Sequence, residues 1–174
     1  MILGAVLAGG RATRFGSDKA VALWNGAPLI DHVIARLTTA VCGIIVCGRV
    51  HNGTISVADR PAPDLGPLGG LNAALHHGAS NGYDRVITVP CDTPLLDEAL
   101  LSALRSAEGE AFLVDMPVIG KWCCDGASLL DELLRSGGDR SMRSWTSLRA
   151  AAPLFHPAPP NINCRADLEA LLGP

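Results

Sequence analysis

An apolar run from Ile2 to Val6 leads straight into Leu7-Ala8-Gly9-Gly10 and then into a segment carrying Arg11, Arg14 and Lys19. A short, wholly apolar run reads as a buried strand, and the glycines turn the chain at its end. Glycine has no Cβ, so backbone N–H groups in such a turn can close around an anion. The cationic side chains supply the charge that a triphosphate needs. The first strand must therefore lie inside the fold, with a nucleotide site at its end.

The rest of the chain alternates Val- and Ile-rich segments with helical patterns, which predicts an α/β fold. Strands are expected over Ile2 to Leu7, Gly43 to Gly48, Thr54 to Ala58, Arg85 to Pro90, Ala111 to Val114 and Pro117 to Lys121. A helix is expected near Pro28 as its N1 residue, with Leu29, Ile30, Val33, Ile34 and Leu37 as its apolar face. Leu100, Leu101 and Leu104 follow the acidic start Asp97-Glu98, and Leu129, Leu130, Leu133 and Leu134 repeat at the same spacing. Both sets read as core. Pro153 to Pro160 reads as a connection to a last helix, Arg165 to Leu172. No repeat or long linker interrupts the 174 residues, which suit one domain, residues 1–174.

Composition narrows the function classes. A net charge of −3 excludes a general nucleic-acid binder, so any phosphate binding must rest on local positive charge. No apolar run approaches a membrane span, no basic residue precedes Ile2 as in a signal peptide, and a cytoplasmic protein is expected. Cys42, Cys47, Cys91, Cys123, Cys124 and Cys164 form no C-x-x-C pair, so most are expected to be small, buried, reduced side chains rather than zinc ligands.

Spacing separates the opening loop from commoner phosphate loops. Gly10 and Gly16 are followed by Ser17 rather than Lys, unlike a Walker A loop, and the glycines Gly9, Gly10 and Gly16 do not make the dinucleotide fingerprint. A second motif, Val89-Pro90-Cys91-Asp92-Thr93-Pro94, ends a strand on Asp92, at the sheet edge where ligands bind in doubly wound folds. A carboxylate there can hold Mg2+ or simply start a turn. A third, Asp64-Leu65-Gly66-Pro67-Leu68-Gly69-Gly70-Leu71, turns into a helix and can pack against a flat ring.

The pattern L-A-G-G-x-x-x-R-x-G-x-D-K resembles sugar-nucleotide pyrophosphorylases and related nucleotidyltransferases, and within them the molybdenum cofactor guanylyltransferases. The resemblance runs from Leu3 to Leu168. It implies a three-layer αβα sandwich with a Rossmann-like, mainly parallel sheet (the nucleotide-diphospho-sugar transferase fold). It also implies transfer of GMP from GTP to the terminal phosphate of the molybdenum-molybdopterin cofactor, with release of pyrophosphate. Arg14, Lys19 and Asp92 would be catalytic, with Asp92 the Mg2+ ligand and the loop amides from Ala8 to Gly16 holding pyrophosphate. Leu7, Ala8, Gly9, Gly10, Lys19, Cys47, Asp59, Gly66, Pro67, Leu68 and Asp92 would line the nucleotide, with Asp59 at the guanine. Asn161 and Asn163 would read the pterin or order metal-bound water, and Arg140 would face the pterin phosphate. Cys164 and Arg165, where the family has Thr and Pro, nevertheless favour Asn163 as the cap of the last helix.

Some positions depart from the family pattern. Cys47 stands where relatives carry Asn, Cys164 and Arg165 replace Thr and Pro, and Met116 replaces His in a short stretch between Leu113 and Pro117. Leu7-Ala8-Gly9-Gly10 and Cys91-Asp92-Thr93-Pro94 favour guanine over the cytosine of cytidylyltransferase relatives. GTP and the molybdopterin cofactor are then the substrates, with cofactor-synthesis proteins and acceptor molybdoenzymes as transient partners. A cytidylyltransferase and a non-catalytic carrier of nucleotide or cofactor are the competing readings.

Overall fold

The computed structural model describes residues 1–9, 20 and 22–172, with the side chains of residues 165, 171 and 172 set aside. Gly10, Arg14 and Lys19 lie outside the described residues. Seven strands among the described residues form one sheet in the order β5-β4-β1-β6-β8-β7-β9. They are β1 (Ile2–Leu7), β4 (Gly43–Cys47), β5 (Ile55–Val57), β6 (Arg85–Pro90), β7 (Ala111–Leu113), β8 (Gly120–Cys123) and β9 (Ala152–Leu154). Strand β1 sits between β4 and β6, pairing Leu7 with Cys47 on one side and Pro90 on the other, both in parallel. Only β8 runs against its neighbours. The sheet is therefore mainly parallel, and the ends of β1, β4, β5 and β6 share one edge.

Alternation along the strands feeds two cores, as period-2 side chains must. Leu3, Ala5 and Leu7 face α2 (Pro67–Ser80), α4 (Ala127–Ser136) and α5 (Met142–Leu148). Val6, Val46, Ile87 and Val89 face α1 (Leu29–Thr38) and α3 (Glu98–Ser106). This is the expected sandwich of helices on both faces of a sheet. Helix α2 is buried nearly all round, and its Gly70 lies so close to Leu7 and Cys47 that a Cβ would meet them at 3.1 and 3.4 Å.

Several expectations need correction. Pro28 is not N1 but the N-cap of α1, because it pairs with Leu23 in a small hairpin of β2 (Leu23–Trp24) and β3 (Ala27–Pro28). The strand placed at Pro117 to Lys121 begins only at Gly120, since Val118 and Ile119 belong to a tight turn in which Ile119 N–H donates to the Met116 carbonyl. The connection Pro153 to Pro160 contains part of β9, which lies at the sheet edge, where a proline is tolerated. Leu129 is exposed rather than core, as α4 turns it away from α2. None of the six cysteines is in a disulfide, but only Cys47 and Cys124 are buried, both packed into the core on the α2 face. Cys91 and Cys123 are half-buried, and Cys42 and Cys164 are exposed. The last helix, α6 (Arg165–Leu172), has the expected bounds.

Candidate functional site

Asp92 lies just past β6 at the carboxyl edge, and three bonds fix the turn that carries it. Cys91 N–H donates to the Leu7 carbonyl at 3.1 Å, and the Thr93 hydroxyl donates to the Pro90 carbonyl at 3.0 Å. Ile162 N–H donates to the Asp92 carbonyl at 3.0 Å. That last bond brings the C-terminal segment across the edge, so exposed Asn161 and Asn163 flank buried Ile162 alongside Asp92. Cys164 rather than Asn163 precedes the first turn of α6, and Asp167 accepts from the backbone N–H groups of both Asn163 and Cys164. A carboxylate three residues into a helix commonly closes the helix start in this way.

Asp59 follows β5 at the same edge and is cradled by glycines from three parts of the chain. A Cβ on Gly9 would come within 2.9 Å of Asp59 Oδ2, and one on Gly48 within 2.9 Å of Oδ1. Gly69 and Gly70, in the first turn of α2, complete the cradle. Gly48 has φ +83°, and a Cβ there would also fall 2.5 Å from Gly9 Cα, so any side chain would strain the turn and push Gly9 aside. Oδ1 is buried with no hydrogen-bond partner among the described residues. Burial, and then the nearby Asp64 charge, hold the Asp59 carboxyl above the usual carboxylate range. A half-buried acceptor left in this condition suits a ligand that brings its own donors.

The other described site candidates lie at varying depth and distance from this cradle. Cys47 is fully buried beneath Asp59, and burial followed by the Asp59 charge pushes its thiol far up, so it is a neutral floor. Leu7 and Leu68 are buried as well, while Gly66 and Pro67 are exposed at the start of α2. The Ala8 amide donates to the Cys47 carbonyl at 2.9 Å. It is committed to the sheet, so an anion cradle drawn from Ala8 must begin further along the loop. Arg140 is exposed between α4 and α5, beside the Asp139 carboxylate that accepts from Ser141 N–H.

A polar cluster beside the cradle escaped the sequence reading. Asn72 on α2, Asp131 on α4 and Arg60 next to Asp59 converge there, with Asn72 Nδ2 donating to Asp131 Oδ1 at 2.8 Å. A lone Asn among the small and apolar residues of α2 was the available signal.

The opposite edge holds another cluster of candidate ligands. Atoms of Glu110, Cys123 and Asp125 lie within 4.8 Å of one another. Arg149 already occupies it, donating Nε to both Glu110 oxygens at 3.0 and 3.1 Å and Nη2 to Asp125 at 2.7 Å. Burial, with Glu110 beside it, pushes the Cys123 thiol up, away from the thiolate a metal needs. Asp92, just past β6 at the carboxyl edge, is by contrast a hard oxygen donor of the type that divalent Mg2+ takes.

A parallel sheet with glycine-lined backbone and two aspartates along its carboxyl edge defines a nucleotide-handling α/β protein. The chain belongs to the MobA-like NTP transferase domain family, which it matches over residues 4–154. It is 33% identical to the molybdenum cofactor guanylyltransferase of Sinorhizobium fredii, across 87% of this chain and 77% of that one. It is also 33% identical to the protein of that name from Cupriavidus taiwanensis, across 97% of this chain and 95% of that one. The fold is shared with molybdopterin-guanine dinucleotide biosynthesis protein A of Archaeoglobus fulgidus, with a TM-score of 0.73 at 18% identity over 98% and 96% of the two chains. Rv0371c of Mycobacterium tuberculosis, solved with manganese, gives 0.70 at 17% identity over 98% and 97%. Among the described residues, no helix is long and apolar enough to cross a membrane.

Proposed function

We propose that this chain transfers GMP from GTP to the terminal phosphate of the molybdenum-molybdopterin cofactor. The observation that carries the reading is the pair of aspartates on one edge. Strands β5 and β6, which lead to them, lie three strand spacings apart, roughly 14 Å. A nucleoside triphosphate can bridge that gap, base at one end and phosphates at the other. The full-length similarity to proteins named molybdenum cofactor guanylyltransferase supports the choice of substrates.

The chemistry then follows from charge. An oxygen of the cofactor phosphate attacks the α-phosphorus of GTP, the bond from that phosphorus to the bridging oxygen breaks, and pyrophosphate leaves. The nucleophile is already ionised, so no general base is required, and catalysis is alignment plus charge stabilisation. Guanine presents ring and amino N–H groups, and Asp59 offers them an acceptor. Gly66 and Pro67 border the ring at the start of α2. Lys19 and Arg14 neutralise the departing pyrophosphate, with loop amides beyond Ala8 aligning it. Asp92 would hold Mg2+, which supplies positive charge to the phosphates when bound. Asn161 and Asn163, with Arg140, orient the pterin substrate. Six cysteines without a disulfide suit a reducing compartment, in keeping with a cytoplasmic reaction.

The test is pyrophosphate release from GTP in the presence of molybdopterin cofactor and Mg2+. Turnover is expected with GTP well above CTP, lost in Asp92→Ala by about 10²- to 10³-fold and strongly reduced in Lys19→Ala. Tight GTP binding without turnover would make the chain a carrier. A preference for CTP would overturn the base assignment.

A further inference from the structure

Asp59 and Arg60 are consecutive and opposite in charge, yet they do not pair. Asp59 Oδ1 has no hydrogen-bond partner among the described residues. Arg60 instead reaches toward α4, where its Nη2 lies 3.9 Å from Asp131 Oδ1. Its backbone N–H is tied to the Gly69 carbonyl at 3.1 Å, so the Asp59–Arg60 corner is fixed while the long side chain can swing. Left alone, a half-exposed guanidinium beside a buried-edge carboxylate would be drawn onto it.

Asp131 is well fixed for a rival role. Asn72, fully buried on α2, donates to its Oδ1 at 2.8 Å, and Arg135 donates Nε to its Oδ2 at 2.9 Å. His76 Nε2 stands 3.7 Å from the same Oδ1. An amide with no exposed surface gives up its water entirely, so its bond to Asp131 sets where the carboxylate sits. We propose that Asp131 is a positioning residue for the nucleotide site: by drawing Arg60 onto α4, it keeps the Asp59 carboxylate open to the N–H donors of the purine. The inference rests on the reading of Asp59 as the guanine acceptor.

Suppression tests it. GTP binding to the intact chain is measured by calorimetry, alongside KM and kcat, for Asp131→Asn, Arg60→Gln and the double variant. Asn at 131 still accepts from Asn72 but no longer attracts Arg60. The expected result is a GTP Kd raised about tenfold in Asp131→Asn, with kcat nearly unchanged. Arg60→Gln alone binds like the unaltered chain, and the double variant binds like Arg60→Gln. In Asp131→Asn the acidic limit of GTP binding also moves to lower pH, because a paired Arg60 favours ionised Asp59. The Cys47 thiol and Asp64 beside Asp59 are the same in every variant, and His76 faces Asp131. Asn72→Ala, which loosens the anchor and keeps the charge, gives a weaker form of the same pattern should Asp131→Asn fold poorly.

A double variant as weak as Asp131→Asn would make Asp131 merely structural. Weak binding by Arg60→Gln alone would make Arg60 a nucleotide contact, and either result overturns the proposal. Failure of the unaltered chain to bind GTP is a separate outcome, which removes the guanine reading itself before any variant is compared.

Discussion

The two ends of the sheet treat buried charge in opposite ways. At the far edge, Glu110 is met by Arg149 and by the Cys123 N–H at 2.8 Å, and the guanidinium lies over the Trp145 ring, 5.6 Å from its centre. At the carboxyl edge, Asp59 is desolvated among glycines and its buried Oδ1 meets no hydrogen-bond partner among the described residues. Both ends gather carboxylates, so carboxylate density alone does not find a site. What separates them is whether the protein satisfies its own charges. A satisfied cluster holds the fold together, and an unsatisfied one awaits a ligand.

Breaking the satisfied end should have the largest effect on folding. Arg149→Met strands a Glu110 side chain that is only 5% exposed, and it is expected to lower stability by about 3–5 kcal/mol. Urea unfolding measures the loss, while turnover per folded molecule at low temperature stays unchanged. Divalent metal that raised Tm in the unaltered chain but not in Glu110→Gln would show a metal site at this end, and the contrast would fail.

Gly48→Ala sharpens the other half. Its Cβ would press on Gly9 and on Asp59 Oδ1 from a backbone conformation that side chains rarely adopt. A smaller stability loss is expected, about 1–3 kcal/mol, joined by weakened GTP binding. Loss of stability with GTP affinity intact would mean that the cradle does not shape the nucleotide site.

How much of this was legible varies with the physics behind each element. Strands β1, β4 and β6 are buried on both faces and read as continuous apolar runs, so they stood out. The Asp97 start of α3 was visible too, and its side chain does accept from Ala99 N–H at 2.7 Å. The β2–β3 hairpin was missed although Asn25-Gly26, both at positive φ, is a strong two-residue turn signal, because strands of two residues show no periodicity. Strand β8 was displaced because Lys121, buried under the carbonyls of Arg105 and Ala107, breaks its apolar run. At the carboxyl edge, Asp92 was legible as a carboxylate ending a strand, whereas Asp59 was singled out only by the family resemblance. The Asn72–Asp131 bond could not, since its partners are 59 positions apart and meet only when α2 packs on α4.

The smallest expected effect tests the comparison most directly. Because its folded-state value is raised, Asp59 holds its proton to higher pH in the folded chain than in the unfolded one. Between those two values the folded state binds more protons, so stability falls as pH rises through that window. Above it, ionised Asp59 is a standing cost to the fold. Asp59→Asn should therefore raise Tm by roughly a degree or two at pH 7.5, a modest gain because the side chain is only half-buried. The gain should fade as pH drops below the unfolded-state value and vanish at about pH 2.5, where Asp59 is protonated in both states. The same variant should weaken GTP binding about tenfold, since an amide offers one acceptor where guanine brings two donor groups. Calorimetry at the two pH values, with and without GTP, reads all of this. A variant that melted lower at pH 7.5 would make Asp59 a strut like Glu110, and the two ends of the sheet would then be alike.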